Sequence, residues 1–306
     1  MKTPLQQINI SLPNGISLYL KREDTIHPYI SGNKYRKLKY NLLYLQDHWV
    51  DTLVTFGGAF SNHIAATAYA CHEKGISCVG VIRGEELWKE VVTNPTLKFA
   101  QSCGMKFEFV TREQYRDKEH PEFLAYLQAK YGTCYLLPEG GTNALAVQGC
   151  EEILGNDTAE FDYICTAVGT GGTISGLINS SLPHQKVLGF PALKGDFLTK
   201  EIQQWTHNNR WQLIHEYHFG GYAKVTEALI AFLNAFYEQT QIPLDPVYTG
   251  KLLFGVYDLI TKGYFTENSK ILAVHTGGLQ GIAGMNQFLQ KKNKTLIAYA
   301  DALKNQ

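Results

Sequence analysis

Four glycine clusters, each set behind a short run of β-branched and aromatic residues, constrain this chain more than any other feature. "TFGGAFSNH" follows the run at 52–56, "PEGGTN" the run at 133–137, "AVGTGGTISG" the run at 162–168 and "VHTGGLQG" the run at 270–276. Short apolar runs of this kind read as buried strands, and the stretches between them repeat their apolar positions at helical spacing, so strands and helices alternate as in an α/β protein with largely parallel sheets. In open α/β sheets ligands bind beyond the carboxyl ends of strands, where loops and helix N-termini converge. Four glycine-rich loops in that position predict one cleft lined from several sides.

Further strands are predicted at 16–20, 76–82, 105–110, 186–190 and 211–217. Helices are predicted at 33–46, 61–74, 93–103, 121–131, 143–155, 172–181, 196–206, 223–239, 250–262 and 278–290. At 306 residues the chain exceeds the roughly 150 typical of one domain, so two domains or one large α/β unit is expected. Its 28 basic side chains balance 28 acidic ones, which leaves no electrostatic footprint for nucleic acid or an anionic membrane. No apolar run approaches the ~20 residues of a membrane span, and the first residues lack the apolar segment of a signal peptide. Six cysteines, none in a C-x-x-C pair, read as buried free thiols in a reducing compartment, so the expected location is the cytoplasm.

The motifs taken singly leave alternatives open. In "VGTGGTISG", Gly169, Gly171 and Gly172 permit a tight turn, and Thr170 and Thr173 add hydroxyls at the start of a helix. This is either a plain strand–helix turn or a cradle for phosphate on backbone N–H groups. It is not a dinucleotide fingerprint, which would place glycine at Ile174, nor a P-loop, which ends in Gly-Lys-Ser/Thr. Ser61, Asn62 and His63 open the helix after "GGAF", where they either cap it or form a nest for a carboxylate. Lys34, in "SGNKYRKLKY", belongs to a basic run with Arg36, Lys37 and Lys39 that reads equally as a solvated helix face. Ser31 or Asn33 is positioned to cap that helix, which puts Lys34 in the first turn. There the positive end of the dipole disfavours an ammonium and suits a reactive amine. The histidines of "HEYH", His215 to His218, and the His72–Glu73 pair lack a third ligand at useful spacing, so no metal is expected.

Together, a phosphate cradle, a disfavoured lysine and a carboxylate nest are the fixtures that hold pyridoxal 5′-phosphate and an amino acid joined to it. "LKRED", "SGNKYRKLKY", "TFGGAFSNH", "PEGGTNALAVQG", "AVGTGGTISG", "LDPVYTGK" and "VHTGGLQG" occur in the order seen in the D-cysteine desulfhydrase and 1-aminocyclopropane-1-carboxylate deaminase family. The chain resembles that family from about Leu20 to Gly284. The resemblance implies the tryptophan-synthase-β-like fold: two open, twisted, mostly parallel sheet domains with the active site in the cleft between them. The larger domain would comprise 1–47 and 153–306, the smaller 48–152, and the small domain would close over substrate.

By the same resemblance Lys34 is the Schiff-base lysine, Asn62 meets the cofactor's ring hydroxyl, and Ser61 and His63 face the substrate. Gly169 to Thr173 form the phosphate loop, Tyr222 and Tyr248 are the active-site tyrosines, and Thr276 contacts the pyridine nitrogen. Arg36, Lys37 and Lys39 then revert to a solvated face. The implied reaction is α,β-elimination on D-cysteine or a related small D-amino acid, giving pyruvate, ammonia and hydrogen sulfide, in a homodimer. Cyclopropane deaminases carry glutamate after the "DPVY" tyrosine, where this chain has Thr249, and "HTGG" replaces "HLGG"; both favour elimination over ring opening. Aminocyclopropane deamination, loss of sulfite from cysteate, and cofactor binding without turnover are the competing readings. The segment 189–211 does not align with the family pattern.

Overall fold

The computed structural model describes residues 1–301. Ten strands form in order: β1 Leu5–Gln7, β2 Ser17–Lys21, β3 Thr52–Gly57, β4 Ser77–Arg83, β5 Lys106–Val110, β6 Tyr135–Leu137, β7 Tyr163–Val168, β8 Lys186–Pro191, β9 Trp211–Leu213 and β10 Lys270–Val274. The helices are α1 Asn33–Asp47, α2 Asn62–Lys74, α3 Pro95–Ser102, α4 Arg112–Arg116, α5 Pro121–Tyr131, α6 Ala144–Glu151, α7 Gly172–Ser180, α8 Phe197–Gln203, α9 Glu227–Thr240, α10 Thr249–Thr261 and α11 Gly281–Lys291.

Two sheets result. One has six strands in the order β1-β2-β10-β7-β8-β9, parallel except for the β1–β2 pair, and the other has four parallel strands in the order β5-β4-β3-β6. Parallel strands buried on both faces are apolar throughout rather than alternating. In β10, Ile271 and Ala273 join the core under α9, α10 and α11, while Leu272 and Val274 face α7 and α8. In the smaller sheet Leu53, Ile82 and Leu137 pack towards α1, α2 and α3, and Val54, Phe56, Val79 and Val81 towards α4 and α5.

This topology sets the site. β7 and β10 are neighbours in one sheet and β3 and β6 in the other, so the four glycine loops emerge as two adjacent pairs. All nine predicted strands form. The one predicted at 211–217 stops at Leu213 because His215–Tyr217 turn into a 3-10 helix. β1 and α4, three and five residues long, are too short for a periodicity to mark. Leu38, Leu42 and Leu45 of α1 lie in one buried cluster with Leu53, Ile64 and Leu137, so α1 packs with the smaller sheet, although the expected boundary after residue 47 groups it with the larger. Cys71, Cys78, Cys150 and Cys165 are buried free thiols, whereas Cys103 and Cys134 are half-buried. Among the described residues no helix is long and apolar enough to cross a membrane.

Candidate active site

A cavity of about 520 Å³ opens where the loops meet. Every residue expected in the site lines it except Gly172, whose α-carbon instead packs on Thr142 and Lys37; a β-carbon there would lie 2.9 Å from Thr142 Oγ1 and 3.2 Å from Lys37 Cε.

The start of α1 is fixed by backbone contact rather than by a side-chain cap. Neither Ser31 nor Asn33 caps it; the capping position is Gly32, at φ 61°. A β-carbon on Gly32 would sit 1.9 Å from the Thr276 carbonyl oxygen, so only glycine lets α1 dock this closely on the loop after β10. The Asn33 N–H donates to that same oxygen at 3.3 Å, and the Asn33 amide donates to Thr173 Oγ1 at 2.7 Å. Lys34 therefore enters the cavity in the first turn, as expected, with its Nζ donating to Asn33 Oδ1 at 3.1 Å. Enclosure away from water pushes its amine down to about 8, against the opposing pull of the Cys150 and Asp245 charges.

The rest of the basic run is not a solvated face. Arg36 and Lys37 are each 2% exposed, and among the four only Lys39 keeps a surface setting, paired with Glu152. Arg36 is buried against Glu23. Lys37 donates to Gly140 O at 2.9 Å, Thr142 Oγ1 at 2.8 Å and Thr170 Oγ1 at 3.3 Å, all neutral acceptors. Burial first, and then the neighbouring Lys34 charge, push its amine down to about 7. A buried amine with no carboxylate beside it is the group the sequence reading missed; only its three-residue spacing from Lys34, which places it on the same helix side, hints at it.

Lys37 lies against the turn between β7 and α7. Gly171 begins α7 at φ 86°, in the left-handed region. The first N–H groups of a helix have no intrahelical acceptor, so this end of α7 presents donors and positive dipole to the cavity. Together with Lys37 and the Thr170 and Thr173 hydroxyls it makes a donor set suited to a phosphate, which passes the test of fit for the phosphate end of pyridoxal phosphate.

On the opposite wall Ser61 caps α2, its Oγ accepting from Ile64 N–H at 3.4 Å, so capping and a nest are the same geometry here. Asn62 accepts from the Gln280 amide. His63 lines the cavity but its ring is held between β3 and α2: Nε2 lies 2.7 Å from Thr55 Oγ1 and Nδ1 3.3 Å from Thr67 Oγ1. Burial, with the Lys34 and Lys37 charges, holds it well below the ordinary histidine range, so it is neutral and serves as wall rather than as a free acid.

Tyr222 and Tyr248 meet edge to face with ring centroids 6.3 Å apart. Desolvation in the cavity raises both phenols, Tyr248 well above the ordinary range and the 42% exposed Tyr222 less. The Asp245 carboxylate accepts N–H bonds from Val247, Tyr248 and Thr249 and the Thr249 hydroxyl at 2.7 to 2.9 Å, which fixes Tyr248. Thr249 is thus fully occupied and lies off the cavity, while Thr276 lines it. The unaligned segment contributes Leu193 and Phe197 to the wall.

Comparison with known proteins agrees with this geometry. The family model described as "Pyridoxal-phosphate dependent enzyme" matches residues 1–277. A putative 1-aminocyclopropane-1-carboxylate deaminase of Pyrococcus horikoshii is 30% identical over 92% of this chain and 90% of its own length. A bifunctional, mitochondrial D-cysteine desulfhydrase/1-aminocyclopropane-1-carboxylate deaminase of Arabidopsis thaliana is 31% identical over 92% of this chain and 77% of its own. A crystal structure described as that of an ACC deaminase homologue superposes with a TM-score of 0.82 at 29% identity, covering 95% of this chain and 94% of that one. The chain belongs to the pyridoxal-phosphate-dependent enzymes of fold type II and is closely related to the 1-aminocyclopropane-1-carboxylate deaminase and D-cysteine desulfhydrase family.

Proposed function

We propose that this protein is a deaminating lyase that eliminates a leaving group from the β-carbon of a small amino acid, D-cysteine being the first substrate to try. The observation that carries it is that one cavity joins a lysine with a lowered amine pKa, a phosphate-type cradle with a buried cation, and a second helix N-terminus. When bound, pyridoxal phosphate supplies an aldehyde that condenses with amines and a ring that draws electrons from the α-carbon of an attached amino acid. Lys37, the first N–H groups of α7 and the Thr170 hydroxyl would hold its phosphate, and Asn62 and Thr276 would flank its ring.

The remaining work belongs to the chain. Ser61 and the start of α2 orient the substrate carboxylate. The Lys34 amine would remove the proton from the α-carbon. The leaving group departs from the β-carbon with its bonding pair and takes a proton from the Tyr222–Tyr248 pair, and water then releases pyruvate and ammonia. Elimination is favoured over cyclopropane opening because Thr249 is held by Asp245 away from the cavity, so no acid at that position serves the ring nitrogen. The test is keto-acid release from D- and L-cysteine, β-chloro-D-alanine, cysteate and aminocyclopropane carboxylate. Pyruvate with sulfide from D-cysteine is expected; 2-oxobutanoate from aminocyclopropane carboxylate alone would replace this reading with the deaminase one.

Lys37→Met is expected to weaken cofactor binding by roughly ten- to a hundredfold, the range for a lost bond to a charged group. Titration of the cofactor-free protein followed by absorbance measures it. Lys39→Met, on the surface pair with Glu152, is the control and should bind normally.

A further inference from the structure

A second cavity of about 590 Å³ adjoins the first and shares Gly58, Arg83 and Glu139 with it. Four of its lining residues are cations, Arg83, Arg112, Arg116 and Lys118, against one carboxylate, Glu139. Lys118 is paired with Glu139 at 3.3 Å and Arg112 with Glu86 at 2.5 Å. Arg83 and Arg116 have no ion pair among the described residues; Arg83 Cζ instead lies 5.8 Å from the centre of the Tyr115 ring. Tyr115 also lines this cavity, is 4% exposed, and its buried hydroxyl has no hydrogen-bond partner, while burial first and then the nearby Glu139 carboxylate hold the phenol protonated. Arg83 and Arg116 are exposed and their charges are met by water, whereas the buried Tyr115 hydroxyl is costly unless a ligand completes it.

The active cavity already has a seat for each anion the proposed reaction needs: α7 with Lys37 for the phosphate, and α2 with Ser61 for the α-carboxylate. Arg83 and Arg116 are a third seat, reached through Gly58 from the substrate end, and Ala59, Phe60 and Leu87 give the space an apolar side. We infer that this second cavity receives the far end of the substrate, and that the substrate class is a β-substituted amino acid whose substituent runs through a short apolar link to an anionic group, a carboxylate or sulfonate. Arg83 and Arg116 bind that group through charge-assisted hydrogen bonds, and the Tyr115 hydroxyl donates the third. This rests on the elimination reading and specifies its substrate.

S-carboxymethylcysteine and its neutral isostere S-carbamoylmethylcysteine separate the two ideas. With water the first yields thioglycolate, pyruvate and ammonium: the α-proton is lost, the Cβ–S bond breaks with its pair on sulfur, and no redox change occurs. The holoenzyme, tested with both enantiomers, should show kcat/KM at least about tenfold higher for the carboxymethyl compound. In Arg83→Gln and in Arg116→Gln the ratio should fall to within about twofold, a change that general structural damage would not produce because it lowers both rates alike. Calorimetric titration of Lys34→Ala protein, which cannot turn either compound over, should show the same preference in binding. If β-chloroalanine is turned over but the anionic and neutral compounds are used equally, or the ratio survives both substitutions, the subsite is refuted and the elimination reading stands. If neither β-chloroalanine nor any cysteine derivative yields keto acid, the elimination reading fails and the subsite falls with it.

Discussion

Lys34→Ala is expected to lower turnover by about a thousandfold or more and to remove the visible absorption that pyridoxal phosphate gains on joining a protein amine. The size follows from the two duties proposed for one nitrogen, covalent capture of the cofactor and proton transfer at the substrate α-carbon. Absorbance spectra of wild type and variant, with borohydride trapping and peptide mapping, check it; label on any other lysine, Lys37 included, overturns the assignment. The same amine sets a pH dependence. Its pKa is lowered by burial from 10.5 to about 8, so the free amine grows as pH rises through 8, and the rate of cofactor capture should rise with it and level off above. For the cofactor-free fold the sign is fixed too. Between about 8 and 10.5 the unfolded lysine holds a proton that the folded one has lost, so stability rises with pH across that window.

Glu23→Gln is expected to destabilise the fold by about 3 to 5 kcal/mol, the usual cost of leaving a buried charge without its partner. Glu23 is fully buried and receives Arg36 Nε at 2.8 Å, Arg36 Nη2 at 3.0 Å and the Thr3 hydroxyl at 2.5 Å. Glutamine keeps the shape and one acceptor oxygen but loses the charge, and the only carboxylate left to Arg36, 2% exposed, is the partly exposed Glu152 at 3.5 Å. Thermal melts should fall by roughly 5 to 15 °C, with urea unfolding giving the free energy. A functional effect accompanies it, because α1 carries Lys34 and Lys37 as well as Arg36: cofactor retention should weaken in the variant. A melt within about 1 °C of wild type would show that the pair does not hold α1.

Most of the architecture was legible because its signals are local. Glycine after an apolar run, alternation of strand and helix periods, and Ser-Asn at a helix start each depend on a few neighbouring residues. Gly32 and Gly171 were legible as glycines but not in their reasons: one is needed because the Thr276 carbonyl lies against it, the other because α7 starts in the left-handed region. His63 was legible as a cavity residue, yet its partners Thr55 and Thr67, which take both ring nitrogens, were not.

The clearest division runs through "NKYRKLK". The sequence by itself determined that a helix begins there, that Lys34 falls in its first turn, and that glycine loops stand ready to meet it. What became of the other cations was decided by the tertiary structure alone. Charges at such spacing look like a solvated face when no partner is in view, and the partners are remote: Glu23 for Arg36 across a turn, and Gly140, Thr142 and Thr170, more than a hundred residues away, for Lys37. Burial of a charge is a property of what folds over it, which is why one helix could carry two enclosed amines with lowered pKa values and a buried, paired guanidinium under a single basic pattern.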